Sequence, residues 1–113
     1  MKTVSIANGE HYVWGEGCDG WHLAKTPGLS VIRERVPPGG AEVRHYHGKA
    51  EQFFYVLSGV ATMETDNGVF KIEADHGLHV PAGVLHRLSN AGGVDLVFLV
   101  ISTPPSHGDR VVG

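Results

Sequence analysis

GGAEVRHYHGKAEQFFYVLSG, residues Gly39–Gly59, places two histidines one residue apart just ahead of an apolar segment. Successive side chains of an extended segment point to opposite faces, so His45 and His47 point the same way. Two imidazoles on one face can bind one metal ion. A third histidine, His86, lies in a second compact segment, Pro81–Asn90, which reads PAGVLHRLSN. We therefore expect the two segments to converge on one metal site.

The first segment resembles the first sequence motif of the cupin superfamily. That motif reads roughly as a glycine, five residues, HxH, three or four residues, a glutamate, six residues and a glycine. Residues 39–59 match it at Gly39, His45, His47 and Gly59. We identify this stretch as motif one.

Residues 75–90 resemble the second cupin motif. Its later part has the spacing PxGxxHxxxN, which is matched by Pro81, Gly83, His86 and Asn90. Asp75 stands where the family usually has a glycine. The resemblance implies an all-β fold, the double-stranded β-helix or jelly-roll barrel of the cupins, which usually holds a divalent metal inside.

Motif one departs from the family pattern at its acidic position. Six residues separate Gln52 from Gly59, so Gln52 occupies the place of the family's glutamate, and Glu51 lies one position too early. Neighbouring strand residues face opposite sides, so both cannot face the barrel interior without a bulge. The predicted metal ligands are His45, His47, Gln52 and His86, with Glu51 as the alternative to Gln52.

A glutamine ligand has an electrostatic consequence. Three neutral imidazoles and a neutral amide oxygen leave the charge of a divalent ion uncompensated, whereas a glutamate would cancel one unit. Such a centre should favour anionic ligands. Mixed nitrogen and oxygen ligation suits iron, manganese, nickel, cobalt, copper or zinc, and the sequence does not choose among them.

Composition excludes several classes of protein. The chain has 113 residues, which argues for a single cupin domain over 1–113. Its formal charge is −3 and it has no Lys/Arg cluster, which argues against nucleic-acid binding. The longest apolar run, Leu96–Ile101, is far shorter than the roughly 20 residues of a membrane span. Cys18 is the only cysteine, so no intrachain disulfide can form. We expect a soluble, cytoplasmic protein with no membrane partner.

Turn residues divide the chain into short strands. Sixteen glycines and six prolines punctuate the sequence, and Asn67-Gly68 is a strong hairpin signal. The polar tail that carries His107 is expected to be solvated. Strands are predicted at Thr3–Ala7, Leu29–Val36, the segment with His45 and His47, Phe53–Leu57, Val60–Thr65, Val69–Glu73, Leu78–Val80, His86–Ser89 and Val94–Ser102, the last buried on both faces.

The segment His11–Trp21, HYVWGEGCDGW, contains both tryptophans and the cysteine. It could form a lid over the barrel, or its tryptophans could pack beneath a loop or at a dimer seam. Pairing of exposed sheet edges makes a homodimer the expected assembly.

Two functions remain open at the level of sequence. The first is a metal-dependent enzyme that acts on a small anionic or oxygen-rich substrate by O2-dependent oxidation (a dioxygenase), isomerisation or decarboxylation. The second is a non-catalytic module that binds or senses a sugar or carboxylate. Metal-independent sugar epimerases of this fold are disfavoured, because the ligand spacing is intact. The sequence assigns no catalytic residue and indicates no organic cofactor.

Overall fold

The structure, a computed structural model, describes residues 1–113 and is built from β-strands without a helix. The predicted all-β fold is therefore confirmed. The strands are β1 (Glu10–Trp14), β2 (Cys18–Lys25), β3 (Ser30–Val36), β4 (His45–His47), β5 (Glu51–Ser58), β6 (Ala61–Thr65), β7 (Gly68–Ile72), β8 (Gly77–Val80), β9 (His86–Ser89), β10 (Leu96–Thr103) and β11 (Arg110–Val112).

Two antiparallel sheets form the jelly roll. Sheet A has the strand order β1-β2-β3-β10-β5-β8, and sheet B has the order β11-β4-β9-β6-β7. Their inner faces meet in one core, to which sheet A contributes Val56 and Phe98 and sheet B contributes Met63 and Leu88. Strands distant in sequence are thereby neighbours, and both predicted motifs contribute to the barrel interior.

The last long strand, β10, is buried mainly on one face. Leu96, Phe98 and Val100 are buried in the core, whereas Leu99 and Ile101 are partly exposed. The prediction of burial on both faces was wrong, because only the inner face of sheet A meets a second layer.

The hairpin between β6 and β7 is confirmed, with its turn one residue earlier than expected. Asp66 and Asn67 form the turn, and Thr65 pairs with Gly68. The Thr65 hydroxyl accepts a hydrogen bond from the Asn67 amide at 3.0 Å and stabilises the turn.

Both ends of the chain differ from the sequence expectation. Thr3–Ala7 forms no strand, because the Ser5 amide donates to the Asn8 side chain at 2.8 Å and the chain turns there. At the other end, residues Arg110–Val112 return as β11 and pair with β4. The tail is therefore part of sheet B and lies beside the histidine strand.

Helices of the length and apolarity needed to cross a bilayer are absent from the structure.

Candidate metal centre

Sheet B brings the three predicted histidines together. On β4, His45 and His47 are buried and Tyr46 between them is partly exposed, as the alternation of strand side chains requires. On the neighbouring strand β9, His86 is the direct cross-strand partner of His45. One short strand and one antiparallel pairing therefore place all three imidazoles on the inner face of the same sheet.

The three rings form a compact cluster. Ring centroids are 4.8 Å apart for His45 and His47, 4.4 Å for His45 and His86, and 5.8 Å for His47 and His86. One nitrogen of each ring lies within 4.8 Å of the corresponding nitrogens of the other two. A cluster of this size could hold one metal ion with small movements of the side chains.

Backbone hydrogen bonds orient two of the imidazoles. Nδ1 of His45 lies 2.6 Å from the Val43 carbonyl oxygen, and Nδ1 of His86 lies 2.9 Å from the Val84 carbonyl oxygen. Because a carbonyl only accepts, each Nδ1 carries the proton and each Nε2 keeps a free lone pair. This is the arrangement found around metal-binding histidines.

Several polar atoms of the site lack partners inside the protein. Nε2 of His86, Nδ1 of His47 and Oε1 of Gln52 are buried without a hydrogen-bond partner. Such groups are costly unless something binds them. The donor set of imidazole nitrogens and one amide oxygen therefore fits a divalent transition metal.

The electrostatics of the cluster also suit a metal. Burial lowers the pKa of His45 to about 4, against the opposing effect of its hydrogen bond to Val43. Burial likewise lowers the pKa of His47 and of His86. All three rings are therefore neutral at neutral pH, which is the form that binds a metal.

Gln52 and Glu51 lie on opposite faces of β5. Gln52 is 6% exposed and lines the same cavity as His45 and His47, while its Nε2 donates to the Ser102 hydroxyl at 3.0 Å. Its Oε1 is left free for another ligand.

Glu51 is directed away from this cavity. Its carboxylate is exposed and lies 2.9 Å from Nε2 of His79, which is also exposed. The structure therefore places Gln52, and not Glu51, on the inner face with the histidines.

Two of the clustered histidines, His45 and His47, line a cavity of about 310 Å³ between the sheets. Most of its lining residues are polar, and four ionisable ones among them were not identified from the sequence: Tyr12, Glu34, Glu42 and Arg110. Glu34 did leave a signal, because it occupies an inward position of β3 between Ile32 and Val36, where a charged residue is unusual. Nothing local marked the other three.

Two further polar side chains near the motifs, those of Arg87 and His107, lie outside the proposed ligand set. Arg87 directly follows His86, so strand alternation turns it away from the histidines, and it pairs with Glu64 at 3.3 Å. His107 is exposed, as expected for a residue of the tail, and it also lines the cavity because the tail folds back toward β4.

The segment His11–Trp21 forms a hairpin at the edge of sheet A. Trp14 packs against the core, which agrees with the packing alternative and not with a lid. Cys18 is fully buried, and burial raises the pKa of its thiol, so it is no candidate nucleophile.

Comparison with known proteins places the fold in a family. The model for the cupin domain matches residues 32–102. A protein of Methanocaldococcus jannaschii of unspecified function is 35% identical over 84 residues, 74% of this chain and 67% of that protein. The polyketide synthase protein CurC of Streptomyces cyaneus is 37% identical over 65 residues, 58% of this chain and 40% of that protein. The chain thus spans two thirds or less of these relatives.

Solved structures share the fold at low sequence identity. A sugar phosphate isomerase of the cupin superfamily from Silicibacter pomeroyi has a TM-score of 0.80 and 22% identity, over 92% of this chain and 76% of that one. A predicted oxalate decarboxylase from Thermotoga maritima has a TM-score of 0.83 and 19% identity, over 92% of this chain and all of that one. With the two motifs, the barrel and the family match in agreement, this chain belongs to the cupin family.

Proposed function

We propose that this protein is a metal-dependent enzyme acting on a small anionic or oxygen-rich substrate. The observation that carries the proposal is the set of nitrogens from His45, His47 and His86 within 4.8 Å of one another at a cavity. Gln52 faces them from sheet A, and its inward position supports it as the fourth ligand in preference to Glu51, which lies on the outer face.

Hydrogen bonds within the protein orient three of the four proposed metal ligands. The carbonyls of Val43 and Val84 fix two imidazoles, and Ser102 fixes the amide of Gln52. A divalent ion held there would supply Lewis-acid or redox chemistry to a bound substrate. Iron, manganese, nickel, cobalt, copper and zinc all fit this donor set.

The cavity also limits the substrate. A volume of about 310 Å³ lies at the small end of ligand pockets, and a mostly polar lining suits a molecule rich in oxygen. No carboxylate belongs to the proposed ligand set, so the positive charge of the ion is retained. Arg110 adds to that charge, and Glu34 and Glu42 oppose it when they are ionised. These features favour an anionic or polar substrate of a few carbon atoms.

The names of fold neighbours agree with this substrate class. Sugar phosphates and oxalate, which appear in the names of two of them, are both anionic and rich in oxygen. Isomerisation and decarboxylation are therefore included among the proposed reactions, beside O2-dependent oxidation.

The test is a screen of the metal-loaded protein. Protein purified without chelators should contain about one metal ion per chain, and protein reconstituted with iron, manganese or nickel should turn over a small hydroxy or keto acid under air. Saturable binding of such acids without turnover by any metal form would favour the non-catalytic binding module instead. Absence of stoichiometric metal would contradict the proposed function.

Three further properties are proposed on the sequence arguments. Residues 1–113 form a single cupin domain, the protein is cytoplasmic, and it forms a homodimer. The position of β1 at the edge of sheet A, where it could pair with its copy, supports the dimer. Size-exclusion chromatography with light scattering tests it, and a monomer at all concentrations would contradict it.

The assignment of Gln52 gives a prediction of its own. The substitution Gln52→Glu should tighten divalent-metal binding, because it adds an anionic oxygen, and should weaken an anionic inhibitor such as oxalate. The matched substitution Glu51→Gln should leave both unchanged, since Glu51 lies on the outer face. Isothermal titration with zinc measures the first effect. Loss of metal in Glu51→Gln with no change in Gln52→Glu would reverse the assignment.

A further inference from the structure

A second group of ionisable side chains lines the cavity besides the imidazoles. Tyr12, Glu34, Glu42 and Arg110 line both the main cavity and an adjoining pocket of about 200 Å³ that also includes Trp14. These four residues therefore lie between the two spaces, and the proposed metal ligands do not include them.

Glu34 is held by a row of residues across three strands. Tyr12 on β1 pairs with Gly20 on β2, which in turn pairs with Glu34 on β3. A Cβ atom at Gly20 would overlap the Tyr12 ring, so only glycine lets that ring lie across β2. The Tyr12 hydroxyl then donates to Oε2 of Glu34 at 3.0 Å, and Oε1 has no hydrogen-bond partner in the chain.

Glu42 is held from the opposite sheet. Its Oε1 accepts a hydrogen bond from the Leu88 amide at 2.9 Å, and its own amide donates to the Leu88 carbonyl at 3.0 Å. Its Oε2 has no hydrogen-bond partner in the chain. Each carboxyl group thus has one fixed oxygen and one free oxygen. Glu34 lines the cavity from β3 of sheet A, and Glu42 lines it from the segment between β3 and β4.

The acidic pair shares its cavity with two of the proposed metal ligands. His47 and Gln52 are both more than nine-tenths buried, both line the cavity, and each has a polar atom without a partner. These atoms are assigned above to the metal ion, so a substrate bound at that ion would lie in the cavity that Glu34 and Glu42 line.

We propose that Glu34 and Glu42 are the acid–base pair of this cavity and that they transfer protons on a small α-hydroxycarbonyl substrate, a hydroxyketone or hydroxyaldehyde. This inference rests on the proposed function and narrows it to proton transfer, hence to isomerisation. Tyr12 acts as a positioning residue for Glu34.

The proton transfers balance without an oxidant. The ionised carboxyl takes a proton from the carbon beside the carbonyl, and the electrons of that C–H bond form the double bond of an enediol. The protonated carboxyl gives its proton to the carbonyl oxygen. It then removes the proton of the other enediol hydroxyl, and the first carboxyl returns its proton to the neighbouring carbon. The carbonyl has moved by one carbon, and both carboxyl groups are restored.

Burial prepares the two carboxyl groups for these roles. It raises the pKa of Glu34 to about 7, against the opposing hydrogen bond from Tyr12. It raises the pKa of Glu42 to about 8, with the Leu88 amide opposing and the charge of Glu34 adding to the rise. Near neutral pH one group can be ionised while the other keeps its proton, as acid–base catalysis requires. The other ionisable groups that act on or respond to this pair are Tyr12 from β1, Cys18 from β2, Arg87 from β9 and Arg110 from β11.

The experiment uses hydroxyacetone, a hydroxyketone small enough for the cavity, as the probe. Proton NMR in D2O follows exchange of its carbon-bound protons in the presence of the zinc-loaded protein. We expect exchange faster than with free zinc, and a loss of at least about 100-fold in Glu34→Gln and in Glu42→Gln at unchanged zinc content. The matched control Glu73→Gln, at an exposed carboxyl outside the cavity, should exchange as fast as the unaltered protein.

A second measurement does not depend on activity. Carbon-13 NMR titration of the metal-free protein should show two side-chain carboxyl groups that titrate above pH 6. The substitution Glu34→Gln should remove one and lower the pKa of Glu42, because the charge of Glu34 raises it. The substitution Tyr12→Phe should raise the pKa of Glu34, because the lost hydrogen bond stabilises the ionised form.

The outcomes separate the two proposals. Absence of zinc binding would overturn the proposed function. Full zinc occupancy with equal exchange in the unaltered protein and both glutamine variants would overturn the acid–base pair alone. Exchange no faster than with free zinc, or carboxyl groups that all titrate near the ordinary value of about 4.3, would overturn it as well.

Discussion

Replacement of His86 by alanine should abolish stoichiometric metal binding. His86 is 1% exposed, its Nδ1 is fixed by the Val84 carbonyl, and its Nε2 has no partner within the protein. Loss of even an outer-shell partner typically weakens metal binding by about 10-fold to 100-fold, so loss of a ligand should cost more than about 100-fold. Zinc content after dialysis measures the effect.

A stability measurement provides a second readout. Zinc at about 100 times its dissociation constant should stabilise the unaltered protein by about 2.7 kcal/mol, and the His86→Ala variant should gain nothing. His79→Ala is the matched control, because His79 is exposed and pairs only with Glu51. If His86→Ala lowers stability too far, His47→Ala at the cavity wall replaces it. Full zinc occupancy in either ligand variant would contradict the three-histidine site.

The second large effect concerns pH and Glu42. Burial raises the pKa of this residue to about 8 in the folded protein, so between about pH 4.5 and 8 the native state binds a proton that the unfolded chain has lost. The contribution of Glu42 to stability is therefore complete below about pH 4.5 and is lost as the pH rises through 8. The substitution Glu42→Gln keeps an oxygen for the Leu88 amide and cannot ionise.

The expected result is a difference that grows with pH. Urea unfolding of the metal-free protein should show similar stability for Glu42→Gln and the unaltered chain at pH 5, and an advantage of a few kcal/mol for the variant at pH 9. The control Glu73→Gln, at an exposed carboxyl, should show a difference that does not change with pH. A flat difference for Glu42→Gln would mean that Glu42 ionises as an ordinary surface carboxyl.

Much of the architecture follows from local pattern. The alternation of strand side chains places His45 and His47 on one face and separates Gln52 from Glu51, and the structure has both arrangements. The second motif predicts β9 with its bounds, His86–Ser89. These features depend on residues a few positions apart, so the sequence contains the necessary information.

Pairing between strands that are distant in the sequence brings the other polar residues to the cavity. Arg110 and His107 reach it only because β11 pairs with β4, more than sixty residues earlier in the chain. Tyr12 reaches Glu34 only because three strands align in one register with Gly20 between them.

The sequence by itself determined an all-β barrel and the inward face that carries the histidines, because strand periodicity is a local property. The tertiary structure decided which polar residues share the cavity with them and how strongly burial shifts their pKa values. Desolvation of Glu34 and Glu42 depends on the segments that cover them, and those segments are brought together only when the two sheets close.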